Sequence, residues 1–380
     1  MTNSSLSSAL KSAAVLAFAA LAGCGANDGS DDYREGYASF VAGEMAAAEE
    51  SFTDCLKHAP QNVDALLMLT RTELRLGEIP KARAAVAKAE ELAGGDPDVL
   101  ELSAQVAYQE KDFKKARELY SRLAANAEFG TGVQSRGYAG LGVLDYAGMT
   151  AGTHEESAAR ARTAFLTAIR LDFRNASAHY HLGRLYYDIF HYSTVAKAEF
   201  ELFVGLAPQD EERTKRVKGK LIPEAQARIE ADRLQRPGAG KRDSAACAAA
   251  LDKGAAAKAK GQIKDARQHY ATALAADPLS APAALGLAAC AESAREALKY
   301  YKIACELSPS MRQALVALGD CAVKAGSPAV AEEAYSRAAA VAPKDAAVLR
   351  QYVAALRKNG KVRVADVYQR YLDTLPVKKR

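Results

Sequence analysis

The chain has 380 residues, of which 26% are charged, and a formal net charge of +5. A balance this close to neutral, with both signs interspersed, carries no nucleic-acid footprint, and a hydrophobic share of 49% excludes a chain too polar to bury a core. Tryptophan is absent and alanine abundant, which suits a helical protein.

The first segment differs in character from the rest of the chain. Lys11 is a lone positive charge ahead of a short apolar run, Ala13 to Ala20, too short to span a bilayer as a mature helix. Leu21-Ala22-Gly23-Cys24 comes next and resembles a bacterial lipobox. The resemblance implies that 1–23 is a lipoprotein signal peptide, cleaved ahead of Cys24, and that Cys24 carries the lipid. Two or more acyl chains anchor stably where one is marginal. Gly25 rather than Asp follows the cysteine. By resemblance to enterobacterial lipoproteins this implies an outer-membrane location facing the periplasm. Residues 24–32 then read as a polar tether.

From residue 29 the chain keeps a period. Ala48, Ala82 and Ala116 are each 34 residues apart. The first unit, 29–62, places Gly36, Ala48, Phe52, Cys55 and Pro60 at positions 8, 20, 24, 27 and 32. The second, 63–96, has Leu69, Gly77, Ala82, Val86 and Ala89; the third, 97–130, has Ala104, Ala107, Ala116, Tyr120 and Leu123. Units marked this way resemble a helix–turn–helix repeat, and the resemblance implies two short antiparallel helices per unit, A and B. Small residues at 8, 20 and 27 sit where the helices cross, and an apolar side chain at 7 with an aromatic at 24 fills the space between them. Proline near 32 ends helix B.

The fourth unit keeps Leu141-Gly142 and Ala161, Phe165, Ala168, but lies 45 residues after the third and carries an insertion near 147–154. The fifth, about 176–210, has Leu182-Gly183, Ala196, Phe200, Phe203 and Pro208. Over 211–235 the pattern fades into a charged run, with Pro223 placed to open a helix; it reads as a capping or degenerate helix pair. Arg236 to Asp243 has linker composition, so a boundary between two lobes, 33–210 and 244–380, is expected there. The second lobe restores the period. Ala266, Ala297, Ala331 and Val364 are 31, 34 and 33 apart, and Pro278, Pro309, Pro343 and Pro376 repeat those intervals.

The unit Arg312 to Asp345 is the most complete: Leu318-Gly319, Gly326, Ala331, Tyr335, Ala338 and Pro343 occupy positions 7, 8, 15, 20, 24, 27 and 32. It resembles the tetratricopeptide repeat, and the resemblance recurs over most of the chain. The implied fold is all-α: a tetratricopeptide-repeat α-solenoid, a right-handed superhelix of antiparallel helix pairs in about five and about four repeats, since one pair cannot bury its own apolar face. The resemblance also implies a concave binding face built from positions 2, 5, 9, 12 and 13 of the A helices. Those positions hold Tyr33, Tyr37 and Phe40 in the first unit, Tyr108 in the third, Tyr146 in the fourth, and Tyr180, Arg184, Tyr187 and Asp188 in the fifth. An aromatic groove suits an extended or helical peptide with apolar anchors, and packing of these tyrosines between repeats is the competing reading.

Nothing reads as catalytic. No Cys-x-x-Cys, Gly-x-Ser-x-Gly, His-Glu-x-x-His or Walker-type loop is present. His179 and His181 stand two apart and do not share a helix face, so no metal site is expected, and no cofactor. Cys55, Cys247, Cys290, Cys305 and Cys321 are open to pairing in an exported protein, Cys305 with Cys321 above all, but suit small apolar packing as well. The expectation is a non-enzymatic, lipid-anchored scaffold binding other proteins or peptides, with no nucleic acid or small-molecule substrate, in support of a secretion, pilus-biogenesis or outer-membrane complex. The alternative is a periplasmic carrier or chaperone for unfolded polypeptide or glycan.

Overall fold

The computed structural model describes residues 28–149, 154–207, 211–234 and 242–376. The expected signal peptide, Cys24, residues 150–153 of the insertion and most of the linker lie outside them. Among the described residues all regular structure is helical. No described helix is long and apolar enough to cross a membrane. The chain divides into two compact units, Met1–Leu119 and Tyr120–Arg380.

In the first unit, α1 (Ser30–Ala42), α2 (Met45–His58), α3 (Val63–Leu76), α4 (Ile79–Ala93) and α5 (Pro97–Gln109) alternate as A and B helices, and α6 (Phe113–Ala125) crosses the division. Ala48, Ala82 and Ala116, the small B-helix residues, are fully buried. Helix starts are set locally: the Asn62 side chain accepts from the Ala65 amide, and Asp96 accepts from those of Asp98 and Val99. Helix A ends at position 15 in the left-handed region, where Gly43 and Gly77 have φ of 85° and 79°. Lys111 holds the same place in the third unit at φ 63°, a conformation that costs a side-chain-bearing residue roughly 1–2 kcal/mol.

The second unit contains α7 (Thr131–Ala147), α8 (His154–Leu171), α9 (Ala176–Asp188), α10 (Ser193–Leu206), α11 (Glu211–Arg216) and α12 (Ile222–Leu234). It continues with α13 (Ser244–Ala259), α14 (Ile263–Ala276), α15 (Ala281–Ala289), α16 (Ala294–Leu307), α17 (Arg312–Lys324), α18 (Pro328–Val341), α19 (Ala346–Lys358) and α20 (Val362–Asp373). The close approach expected at position 8 is present. A Cβ on Gly183 would stand 2.7 Å from the Phe200 ring, and one on Gly319 would run into Tyr335. Gly286 departs from the pattern, facing Tyr270 of the preceding repeat.

Two expectations change here. The 211–235 stretch is not an end cap. A π turn over Val217–Leu221 joins α11 to α12, so the helical run passes through Pro223. The wide turn lies where the proline ring would meet the carbonyl of Gly219, four residues back. Val217, Leu221 and Ala225 are buried in the same core as Tyr180, Tyr187 and Phe203, and α12 packs against both α10 and α16.

The boundary expected at 236–243 also moves, because helices from both sides of that stretch share one core, and the division falls at Leu119/Tyr120 instead. The terminal helix α20 packs back onto α8. Arg162 of α8 is fully buried in that seam. Its Nη2 donates to the Ser336 carbonyl at 3.0 Å, and its Nη1 donates to Ser336 Oγ and the Tyr368 hydroxyl, both at 3.3 Å. At the seam's edge Lys361 pairs with Glu155 at 2.7 Å and Glu332 at 3.0 Å.

Candidate peptide-binding surfaces

The concave positions of the first unit are the open ones. Tyr37, Phe40 and Val41 stand at i, i+3 and i+4 on α1 and so share a face. Tyr37 is 51% exposed and Val41 69%. Arg75, from the end of α3, lies over the Phe40 ring at 4.3 Å. Phe40, Arg71, Leu74, Arg75 and Gln105 line a recess of about 280 Å³. The Arg71 guanidinium reaches Met68 Sδ at 3.6 Å, and neither Arg71 nor Arg75 pairs with a carboxylate among the described residues. Tyr33 is half-buried, with its ring 5.7 Å from Phe52, and Tyr108 is half-buried against Phe113 at the same distance. The surface therefore combines apolar anchors with two cations that lack a carboxylate partner. Arg71 and Arg75 hold positions 9 and 13 of the second unit, concave positions that a search for aromatic residues passes over.

In the second unit the expected residues meet, but they do not form an open groove. Asp188 accepts from Tyr146 at 2.8 Å and from Arg184 Nε at 2.7 Å. Burial, and then the Asp188 bond, push the Tyr146 phenol up to about 12. Tyr180 and Tyr187 are 7% and 6% exposed. The Tyr187 hydroxyl donates to Glu224 at 2.9 Å, and Arg228 covers its ring at 4.0 Å. Arg213 lies 5.5 Å from the Tyr180 ring. The chain's own α11–α12 run thus occupies the ground on which the repeat pattern expects these two tyrosines to receive a peptide.

His179 is bonded on both ring nitrogens, to Glu199 at 2.6 Å and the Phe173 carbonyl at 3.0 Å. His181 stacks on Phe165, and burial pulls it down to about 4. No group of three or more metal-ligating side chains assembles among the described residues. Cys55, Cys247, Cys290, Cys305 and Cys321 are all buried free thiols. Cys321 donates to the Ala294 carbonyl at 3.4 Å, and burial pushes the Cys305 thiol up to about 12.

The tetratricopeptide-repeat pattern matches residues 42–106 and, in overlapping stretches, 251–310, 291–346 and 316–376. Among solved structures, the chain is similar to a MamA protein, at 17% identity over 51% of this chain and 96% of that one, with a TM-score of 0.33. It is also similar to pilF of Pseudomonas aeruginosa, at 16% identity over 55% and 94%, TM-score 0.39. The tetratricopeptide-repeat domain of P58(IPK) aligns at 14% identity over 88% and 99%, TM-score 0.26. Comparison with curated protein sequences gave no match.

Proposed function

This chain belongs to the tetratricopeptide-repeat family, and from that premise we propose that it is a non-enzymatic protein–protein interaction scaffold of the bacterial envelope, held to the outer membrane by a lipid on Cys24 and facing the periplasm. It supports the assembly of a secretion, pilus-biogenesis or outer-membrane complex by gripping a partner segment on the first unit. The observation that carries the reading is the open face of α1 and α3. Tyr37, Phe40 and Val41 offer apolar contact area beside Arg71 and Arg75, which pair with no carboxylate among the described residues. An extended segment with an aromatic or aliphatic anchor and flanking acidic residues fits that chemistry. The lipobox resemblance, Leu21-Ala22-Gly23-Cys24, supports the anchor.

The test is site-specific photo-crosslinking in the native host. One probe replaces Tyr37, and a control probe replaces Lys88, which is exposed on helix α4. A discrete adduct at Tyr37 and none at Lys88 is the expected result, and mass spectrometry then names the partner. A broad smear at Tyr37 would support the carrier or chaperone reading instead. No adduct at Tyr37 would refute the first unit as the working surface.

A further inference from the structure

The seam between α8 and α20 carries a partly open cavity of about 420 Å³. Phe190, Tyr192, Tyr352 and Tyr368 give it aromatic walls, and Ile189 and Leu356 add aliphatic ones. One region is polar. Ser336 and Tyr368, both on the wall, are the residues that hold the Arg162 guanidinium. Ser336 also neighbours the Tyr192 and Tyr352 phenols. Hydroxyls from α18, α19, α20 and the turn before α10 therefore converge beside one buried cation.

Among the described residues that cation has no counter-charge. Every polar partner of Arg162 is neutral, and the three rings around it, Tyr186, Phe190 and Tyr368, are neutral too. Its Nε and the Tyr186 hydroxyl have no hydrogen-bond partner among the described residues. An arginine cannot shed its proton to escape burial, so the charge stays and its desolvation is offset only by dipoles. Packing alone does not call for an arginine here, since a buried ion is often replaced by apolar side chains of similar volume without loss of stability.

We propose that the seam cavity is a binding site for a monocarboxylate carried on an apolar body, with the carboxylate among the Ser336, Tyr192, Tyr352 and Tyr368 hydroxyls and Arg162 as its counter-charge. The remainder of the cavity sets the selectivity. His154, Glu155, Glu332, Glu333 and Lys361 are the titratable groups at its rim. Lys361 is committed to Glu155 and Glu332, which leaves the rim with no surplus positive charge for a second anionic group. Dicarboxylates and phosphate are therefore disfavoured, and an aromatic or branched aliphatic acid fits best. The same chemistry is offered by a free small acid and by the C-terminus of a polypeptide ending in an apolar residue.

The test is titration calorimetry on the full chain with phenylacetate and its neutral isostere phenylacetamide, and with Gly-Gly-Phe as free acid and as C-terminal amide. At least one acid should bind, and its amide should bind about tenfold more weakly or worse, because the charge-assisted bonds are lost. The acid that binds more tightly identifies the source: a small molecule for phenylacetate, a chain terminus for the tripeptide. Arg162→Met should abolish the preference for acid over amide. Ala329→Trp places bulk at an exposed position on the cavity wall, leaves Arg162 in place, and should weaken both acids about tenfold or more. Circular dichroism verifies that each variant is folded, and Ala329→Trp carries the test if Arg162→Met is not. Equal binding of acid and amide, no binding of any acid at millimolar concentration, or unchanged binding by Ala329→Trp would each overturn the proposal.

Discussion

Replacing Glu73 by glutamine should stabilise the first unit above neutral pH and leave it unchanged in mild acid. Glu73 lies on α3, 5% exposed, and its Oε2 has no hydrogen-bond partner among the described residues. Burial, and secondarily the Glu49 carboxylate, push its carboxyl from 4.5 up to about 7; Lys81, committed to Glu49 at 2.8 Å, opposes this only in part. Between these two values the folded state keeps a proton that the unfolded chain has released. Stability therefore falls as pH rises from 4.5 to about 7 and is flat above that. At ~1.4 kcal/mol per pH unit the ceiling is about 3 kcal/mol, and screening near the exposed Lys81 brings the expected penalty to about 1–3 kcal/mol. Glutamine keeps the shape and removes the charge. Urea unfolding of the full chain at pH 4 and pH 8, with hydrogen exchange of α3 and α4 amides to locate the effect, should show that gain at pH 8 and almost none at pH 4. An equal gain at both pH values would refute the reasoning, as would a loss at pH 8.

Gly319→Ala forces a methyl into the Tyr335 ring and should destabilise the second unit by about 1–3 kcal/mol, measured by urea unfolding. Arg162→Met removes a buried charge that has no carboxylate partner among the described residues but leaves the Ser336 carbonyl without its donor, and should cost about 1–3 kcal/mol by the same measurement. Tyr37→Ala, at an exposed site, should leave stability within about 0.5 kcal/mol of the parent and reduce partner capture in a pull-down from native membranes. Cys24→Ser should move the protein from the membrane to the soluble fraction and eliminate metabolic labelling by a palmitate analogue.

The pairings within one repeat are legible in the sequence because both members lie in one short window. Gly183 with Phe200, and Gly319 with Tyr335, follow from spacing alone. Exposure of the groove residues is not legible, because it depends on what the chain places next to them. Tyr37 and Tyr187 both hold concave-face positions of an A helix, 9 and 12, yet one is open and the other lies beneath Glu224 and Arg228 of a helix run whose repeat signature has faded. The seam is less legible still. Arg162 sits between Ala161 and Phe165, both ordinary repeat residues, and its partners come from 174 and 206 positions later. The lobe boundary differs from its expected place for the same reason, since linker composition at 236–243 says nothing about whether the helices beyond it return to those before it.

A stack of repeats normally unravels from its ends, because a terminal repeat is held on one side only. The return of α20 to α8 removes that weak point for the C-terminal repeat, which is clasped on two sides. Forming this contact costs roughly 1.5 kcal/mol more chain entropy than a contact one repeat away, given the 206-residue separation of Arg162 and Tyr368. Closure therefore comes late in folding and links the whole of the second unit to it. Deleting the last helix pair would strip two interfaces at once, so the second unit should melt as one cooperative block in which the loss of any repeat is felt by all of them.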